Sequence, residues 1–115
     1  VAVTSIEFQV QGSEREPYHI FFERTGSHIR AFCTCAAGAQ GQSCKHRMAI
    51  LAGVTDGIVS ANAHCAAEVA SWLPGSNVAE AIALVAEAEA ALDQAKKALA
   101  KAKRALGDTM RSTPT

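Results

Sequence analysis

The sequence predicts an α+β fold: a small antiparallel sheet of about three strands carrying a compact metal-binding segment, followed by a helix and a long alanine-rich C-terminal helix. Three observations predict it. The β-forming residues concentrate before residue 35, three cysteines and a histidine fall between positions 33 and 46, and neither Gly nor Pro interrupts the chain from Asn77 to Leu106.

Ile6, Phe8 and Val10 alternate with Glu7, Gln9 and Gln11, the period-two pattern of a half-buried strand. Tyr18 to Arg24 and His28 to Thr34 read as two further strands, separated by turns at Gly12 to Pro17 and at Thr25-Gly26-Ser27. The small, polar stretch Ala36 to Ser43 reads as a flexible loop, and Cys44 to Leu51 starts a short helix that ends near Gly53. A second helix is expected from Ile58 or Ser60 to Leu73, with Cys65, Val69 and Trp72 at helical spacing and Pro74-Gly75 as its stop.

Asn77, with Glu80 three positions later, resembles a capping box that opens the long helix. Alanine fills 12 of the 29 positions from Val78 to Leu106, and a helix of that length spans about 43 Å. The polar residues 108–115 are expected to form a disordered tail. This gives residues 1–56 as sheet plus metal-binding segment and 57–107 as a helical, association-prone part.

Composition narrows the function. The 115 residues amount to one domain, and 11 Lys+Arg against 11 Asp+Glu give zero formal charge, which argues against a whole-surface polyanion binder. No uncharged apolar run approaches the roughly 20 residues needed to cross a bilayer. No basic stretch leading into an apolar run opens the sequence, so a cytoplasmic location is expected. The chain has 24 alanines but only six aromatic residues. So thin a core usually needs a metal, disulfides or a partner chain.

Cys33-Thr34-Cys35 and Cys44-Lys45-His46 form a CxC…CxH pattern with eight residues between the pairs. Zinc takes four soft or borderline ligands in a tetrahedron, and two close pairs joined by a loop containing Gly38 and Gly41 supply them with little strain. Cys44 and His46 would sit in the first turn of a helix, where the amide dipoles favour a thiolate. The alternative is a set of buried thiols or a disulfide, and a disulfide across CxC is strained by its short span. One Zn2+ per chain is expected, in a structural role, because four protein ligands leave no open position for catalysis.

The spacing CxCx8CxH, after a β-hairpin and before a helix, resembles the SWIM zinc finger, a ββα zinc-binding module. The resemblance covers roughly residues 18–53 and assigns Cys33, Cys35, Cys44 and His46 to the family's four ligand positions. It implies zinc binding and recognition of nucleic acid or protein, in settings such as transposases, chromatin-remodelling ATPases and recombination mediators, and it implies no reaction.

Outside this cluster, Cys65 beside His64 cannot form a nucleophilic pair with it, since neighbours on a helix point about 100° apart, and an inert core thiol is expected. Trp72 reads as a core plug. Arg24, Arg30, Lys45 and Arg47, with Phe32, could form a nucleic-acid-binding face, or could be an ordinary soluble surface.

The long helix carries a heptad seam: Val78, Val85, Leu92, Leu99 and Leu106, each of the first four followed three residues later by Ala81, Ala88, Ala95 and Ala102. Ile82 and Leu84 widen its apolar face. Glu80, Glu87, Glu89 and Asp93 fill the first half, while Lys96, Lys97, Lys101, Lys103 and Arg104 fill the second. An antiparallel homodimer would place unlike charges together; packing onto the chain's own first helices, or an exposed helix stabilised by propensity alone, are the other options. The expected function is a zinc-stabilised module for protein–protein interaction or assembly, with DNA binding as the alternative and no enzymatic activity. No paired carboxylates, phosphate-cradling Gly loop or nucleophile triad is marked in the sequence.

Overall fold

The computed structural model describes residues 2–114. Strands β1 (Val3–Val10), β2 (Tyr18–Thr25) and β3 (His28–Cys33) form one antiparallel sheet in the order β1-β2-β3. The β2–β3 turn needs only two residues because Gly26 takes a positive φ of 60°, the conformation a type II′ hairpin turn demands of its first central position. The register sets Phe8 opposite Ile20 and Ile20 opposite Cys33, with Ile6 opposite Phe22 in the next rung. Phe8, Val10, Ile20, Phe22, Ile29 and Cys33 are buried on this face. Glu7, Phe21 and Phe32 share a rung on the other face, as strand alternation requires.

Four helices follow. Helix α1 (Ala36–Ala39) occupies the stretch expected to be a loop, and α2 (Lys45–Leu51) lies where a short helix was expected. A 3-10 turn (Ala63–Cys65) runs into α3 (Ala66–Ser71), so the second helix is much shorter than the sequence suggests. Residues 57–60 instead bond to the free edge of β1, where Ile58 forms an antiparallel bridge with Val10. Gln11 N–H donates to the Gly57 carbonyl and Val59 N–H to the Gln9 carbonyl, each at 2.8 Å, and Asn62 Nδ2 reaches the Glu7 carbonyl. Ala66, Val69 and Trp72 then join Ile50 and Leu51 of α2 in one core with the sheet, Trp72 being 4% exposed with the Arg24 guanidinium 5.4 Å from its ring centre. Cys65 is partly buried against the same core.

Helix α4 (Asn77–Arg111) is 35 residues long, about 52 Å. Its N-cap is Ser76 rather than Asn77: the buried Ser76 hydroxyl accepts from Ala79 N–H at 3.1 Å. The Asn77 amide is otherwise engaged. Its Oδ1 accepts from Ile29 N–H at 2.7 Å and its Nδ2 donates to the Ile29 carbonyl at 3.1 Å, pairing with the outer edge of β3 as another strand would. The disordered tail expected from residue 108 is corrected in part, since the helix passes through Gly107 and continues to Arg111. A glycine costs a helix only about 1 kcal/mol, and the i,i+3 pair of Arg111 with Asp108 lies just beyond it.

The chain divides into two compact units, the first ending at Glu80 and the second starting at Ala81. Among the described residues no helix is long and apolar enough to cross a membrane.

Asn77→Ala removes both hydrogen bonds from Ile29 at once. We expect a loss of about 1–3 kcal/mol, read from the midpoint of denaturant unfolding.

Candidate metal centre

The sequence brings Cys33 and Cys35 to the end of β3 and sets Cys44 and His46 at the start of α2, so the four meet where strand and helix converge. Their candidate ligand atoms all lie within 4.8 Å of one another, with Cys33 Sγ 3.9 Å from His46 Nδ1. All three cysteines are buried and unpaired, which removes the disulfide alternative. A tetrahedral site with metal–sulfur bonds of about 2.3 Å has ligand separations of about 3.8 Å. The Cys33–His46 pair already stands at that spacing, and the group can hold one metal ion.

Each thiol also accepts an N–H. Cys33 Sγ accepts from Cys35 N–H at 3.5 Å and Cys35 Sγ from Gly38 N–H at 3.4 Å. Cys44 Sγ accepts two, from the Arg47 backbone at 3.5 Å and from its Nε at 3.2 Å. Cys35 and Cys44 are thus the N-caps of α1 and α2, so the interactions that start these helices also aim the ligands. Gly38 is required at its position: a Cβ there would lie 2.4 Å from the Cys33 carbonyl oxygen.

The thiols are not equivalent. Burial pushes Cys33 up to about 12. Burial also raises Cys44, but the two Arg47 N–H donors, with the neighbouring Cys35 and Cys33 thiols, more than reverse it and hold Cys44 below its ordinary value. Desolvation, then the charge of Lys45, lowers His46 and favours the neutral imidazole that binds metals. The Tyr18 ring, 4.9 Å from the imidazole centre, packs against His46 and fixes its plane.

Arg47 has a structural part that the sequence reading did not assign to it. Besides its bonds to Cys44, its Nη1 donates to the Ala31 carbonyl at 2.9 Å and its Nη2 to the Gln42 carbonyl. It ties the cluster to β3 and to the preceding loop. The one sequence signal was its place three residues after the Cys44 cap. The other bases are dispersed. Arg24 lies over Trp72 in the core, Arg30 lies over Phe32 on the outer sheet face, 3.4 Å from Glu23, and Lys45 is exposed on α2.

Along the seam, Val78 is partly buried against the core cluster, whereas Val85, Leu92, Leu99 and Leu106 are 56–59% exposed. Ala81, Ala88, Ala95 and Ala102 between them are exposed as well.

No protein-family model matches the chain, and no curated protein or solved structure matches it either.

Two substitutions probe the centre. Arg47→Met should weaken metal binding by about 10- to 100-fold in chelator competition. The backbone N–H of residue 47 stays, but without the Nε donor the Cys44 thiol rises, protons compete at higher pH, and the pH at which metal is released should move upward. Gly38→Ala should cost the metal-loaded protein about 1–3 kcal/mol, measured by thermal unfolding.

Proposed function

We propose that the chain is a zinc-stabilised recognition module, a SWIM-like finger whose long helix mediates association with protein, and that it binds rather than catalyses. The observation that carries this reading is the convergence of Cys33, Cys35, Cys44 and His46 within 4.8 Å. Three thiols and an imidazole favour zinc over the oxygen-seeking cations. Their arrangement, two ligands ending a hairpin and two beginning a helix, is the one the SWIM resemblance implies.

Cys33, Cys35, Cys44 and His46 would hold the zinc, which would supply a structural cross-link rather than a reactive centre. The work of the surrounding residues is positional. Gly38 N–H and the Arg47 donors spread thiolate charge, and Tyr18 orients His46. Three free buried thiols suit a reducing compartment such as the cytoplasm.

The association part of the reading is supported by the exposed leucines of α4, since contiguous exposed apolar surface of this kind marks interaction sites. The DNA-binding alternative draws less support. Of the four bases proposed for that face, Arg24 lies over Trp72 and Arg47 bonds Cys44, which leaves Lys45 and the Glu23-paired Arg30 freer to meet phosphate there.

Elemental analysis of protein purified without chelator should find one zinc per chain. Removing it should unfold the sheet unit and shift the emission of Trp72, the single tryptophan, to the red. A metal content well below one equivalent, or unchanged emission after complete removal, would overturn the reading.

A further inference from the structure

We propose that the partner of α4 is a second copy of the same chain, running antiparallel, in a register that sets every large seam residue over an alanine. The inference rests on the reading that α4 serves association, and it specifies the partner, its direction and its register.

The face in question runs from Ala81 to Leu106. Val78 is taken up by the core, and Val85, Leu92, Leu99 and Leu106 are each more than half exposed, as is Leu84 at 65%. Two copies can meet through such a seam in parallel or antiparallel fashion. In a parallel pair equivalent positions share a layer, so Leu meets Leu and the next layer is Ala against Ala. Bulky layers then hold the helices apart where the alanine layers need them close, and voids result.

In an antiparallel pair the two kinds of seam position share each layer. With the two-fold axis between Asp93 and Gln94, Leu92 faces the partner's Ala95, Leu99 the partner's Ala88, Val85 the partner's Ala102, and Leu106 the partner's Ala81. Large fills small throughout. Beside the seam, Leu84 falls near the partner's Ala105 and Ala91 near the partner's Ala98, so that flank is small and apolar and permits close approach.

Charge selects the same direction. From Asn77 to Asp93 the helix carries four acids and no base, and from Gln94 to Gly107 five bases and no acid. A parallel pair lays acids along acids. The antiparallel pair lays acidic half along basic half, and on the other flank of the seam it brings Glu89 beside the partner's Lys96, twice by symmetry. Parallel pairing offers no counterpart, because the facing flank holds Leu84, Ala91, Ala98 and Ala105. Opposed macrodipoles add to the preference.

The test uses the full zinc-loaded chain and sedimentation equilibrium over a range of concentrations. The wild type should sediment as a concentration-dependent dimer. Glu89→Lys and Lys96→Glu each turn both flanking pairs into like-charge pairs and should each raise the dimer dissociation constant about tenfold. An equimolar mixture of the E89K and K96E chains restores complementarity in the heterodimer, so it should associate at least as tightly as wild type and in preference to either variant alone. Both positions are exposed, and unchanged zinc content and Trp72 emission will show that the variants fold.

A wild type that stays monomeric at millimolar concentration overturns the self-pairing. A dimer indifferent to both single substitutions, with no preference in the mixture, overturns the antiparallel register. In either case a full equivalent of zinc leaves the module reading standing, whereas its loss points to failure of that reading instead.

Discussion

The first unit depends on the junction of three thiols and an imidazole between the end of β3 and the start of α2. A three-stranded sheet with a few short helices buries few large side chains, and here only Phe8, Phe22, Ile20, Ile50 and Trp72 supply much of that bulk, supported by Ile29, Leu51 and Val69. Burial at about 25 cal/mol per Å2 over so small a core is nearly offset by chain entropy, so a metal ion held at the junction would weigh heavily in the stability of the unit. The same sulfurs serve local structure. Because Cys35 and Cys44 accept the N–H groups of Gly38 and Arg47, helix initiation and ligand placement are a single constraint.

The sheet edges follow from that junction. A small sheet has two exposed rows of backbone groups, each a template for unwanted pairing. On the β1 side, residues 57–62 lie along the strand and satisfy Gln9, Gln11 and Glu7. On the β3 side no strand is available, and side chains substitute: Asn77 pairs with both polar groups of Ile29, and Arg47 takes the Ala31 carbonyl. Arg47 thus protects an edge while polarising a ligand, which is a reason to expect its guanidinium fork, rather than its charge alone, to matter.

Much of this was legible in the sequence where the signal is local. Alternation at Ile6, Phe8 and Val10 gave β1, the CxC and CxH pairs gave the cluster, and the uninterrupted alanine-rich stretch gave α4. The misses share a physical cause, namely a local preference overruled by a partner distant in sequence. Residues 58–60 were expected to begin a helix, but β1 engages them: Ile58 bridges Val10, and Val59 and Ser60 bond to Gln9. Asn77 is as good a cap as Ser76, yet its amide is occupied by Ile29, so the cap falls one residue earlier. Arg47 is one more base in the composition, and only the fold reveals that three acceptors surround it. Gly107 looked like a stop, but no proline follows it before Pro114, and its modest penalty leaves the helix running to Arg111.

The charges of α4 are ordered along its length. Placing acids early and bases late stabilises the helix against its own macrodipole, and alanine, the strongest helix former, supplies propensity without needing a core to pack against. Those two features account for a stable, isolated helix. They do not account for a large apolar residue recurring every seventh position from Val85 to Leu106, which gives a solitary helix nothing and leaves each of these side chains more than half exposed. Exposed apolar side chains at that spacing suggest an interface, and the alanines between them would permit a close approach to whatever covers it.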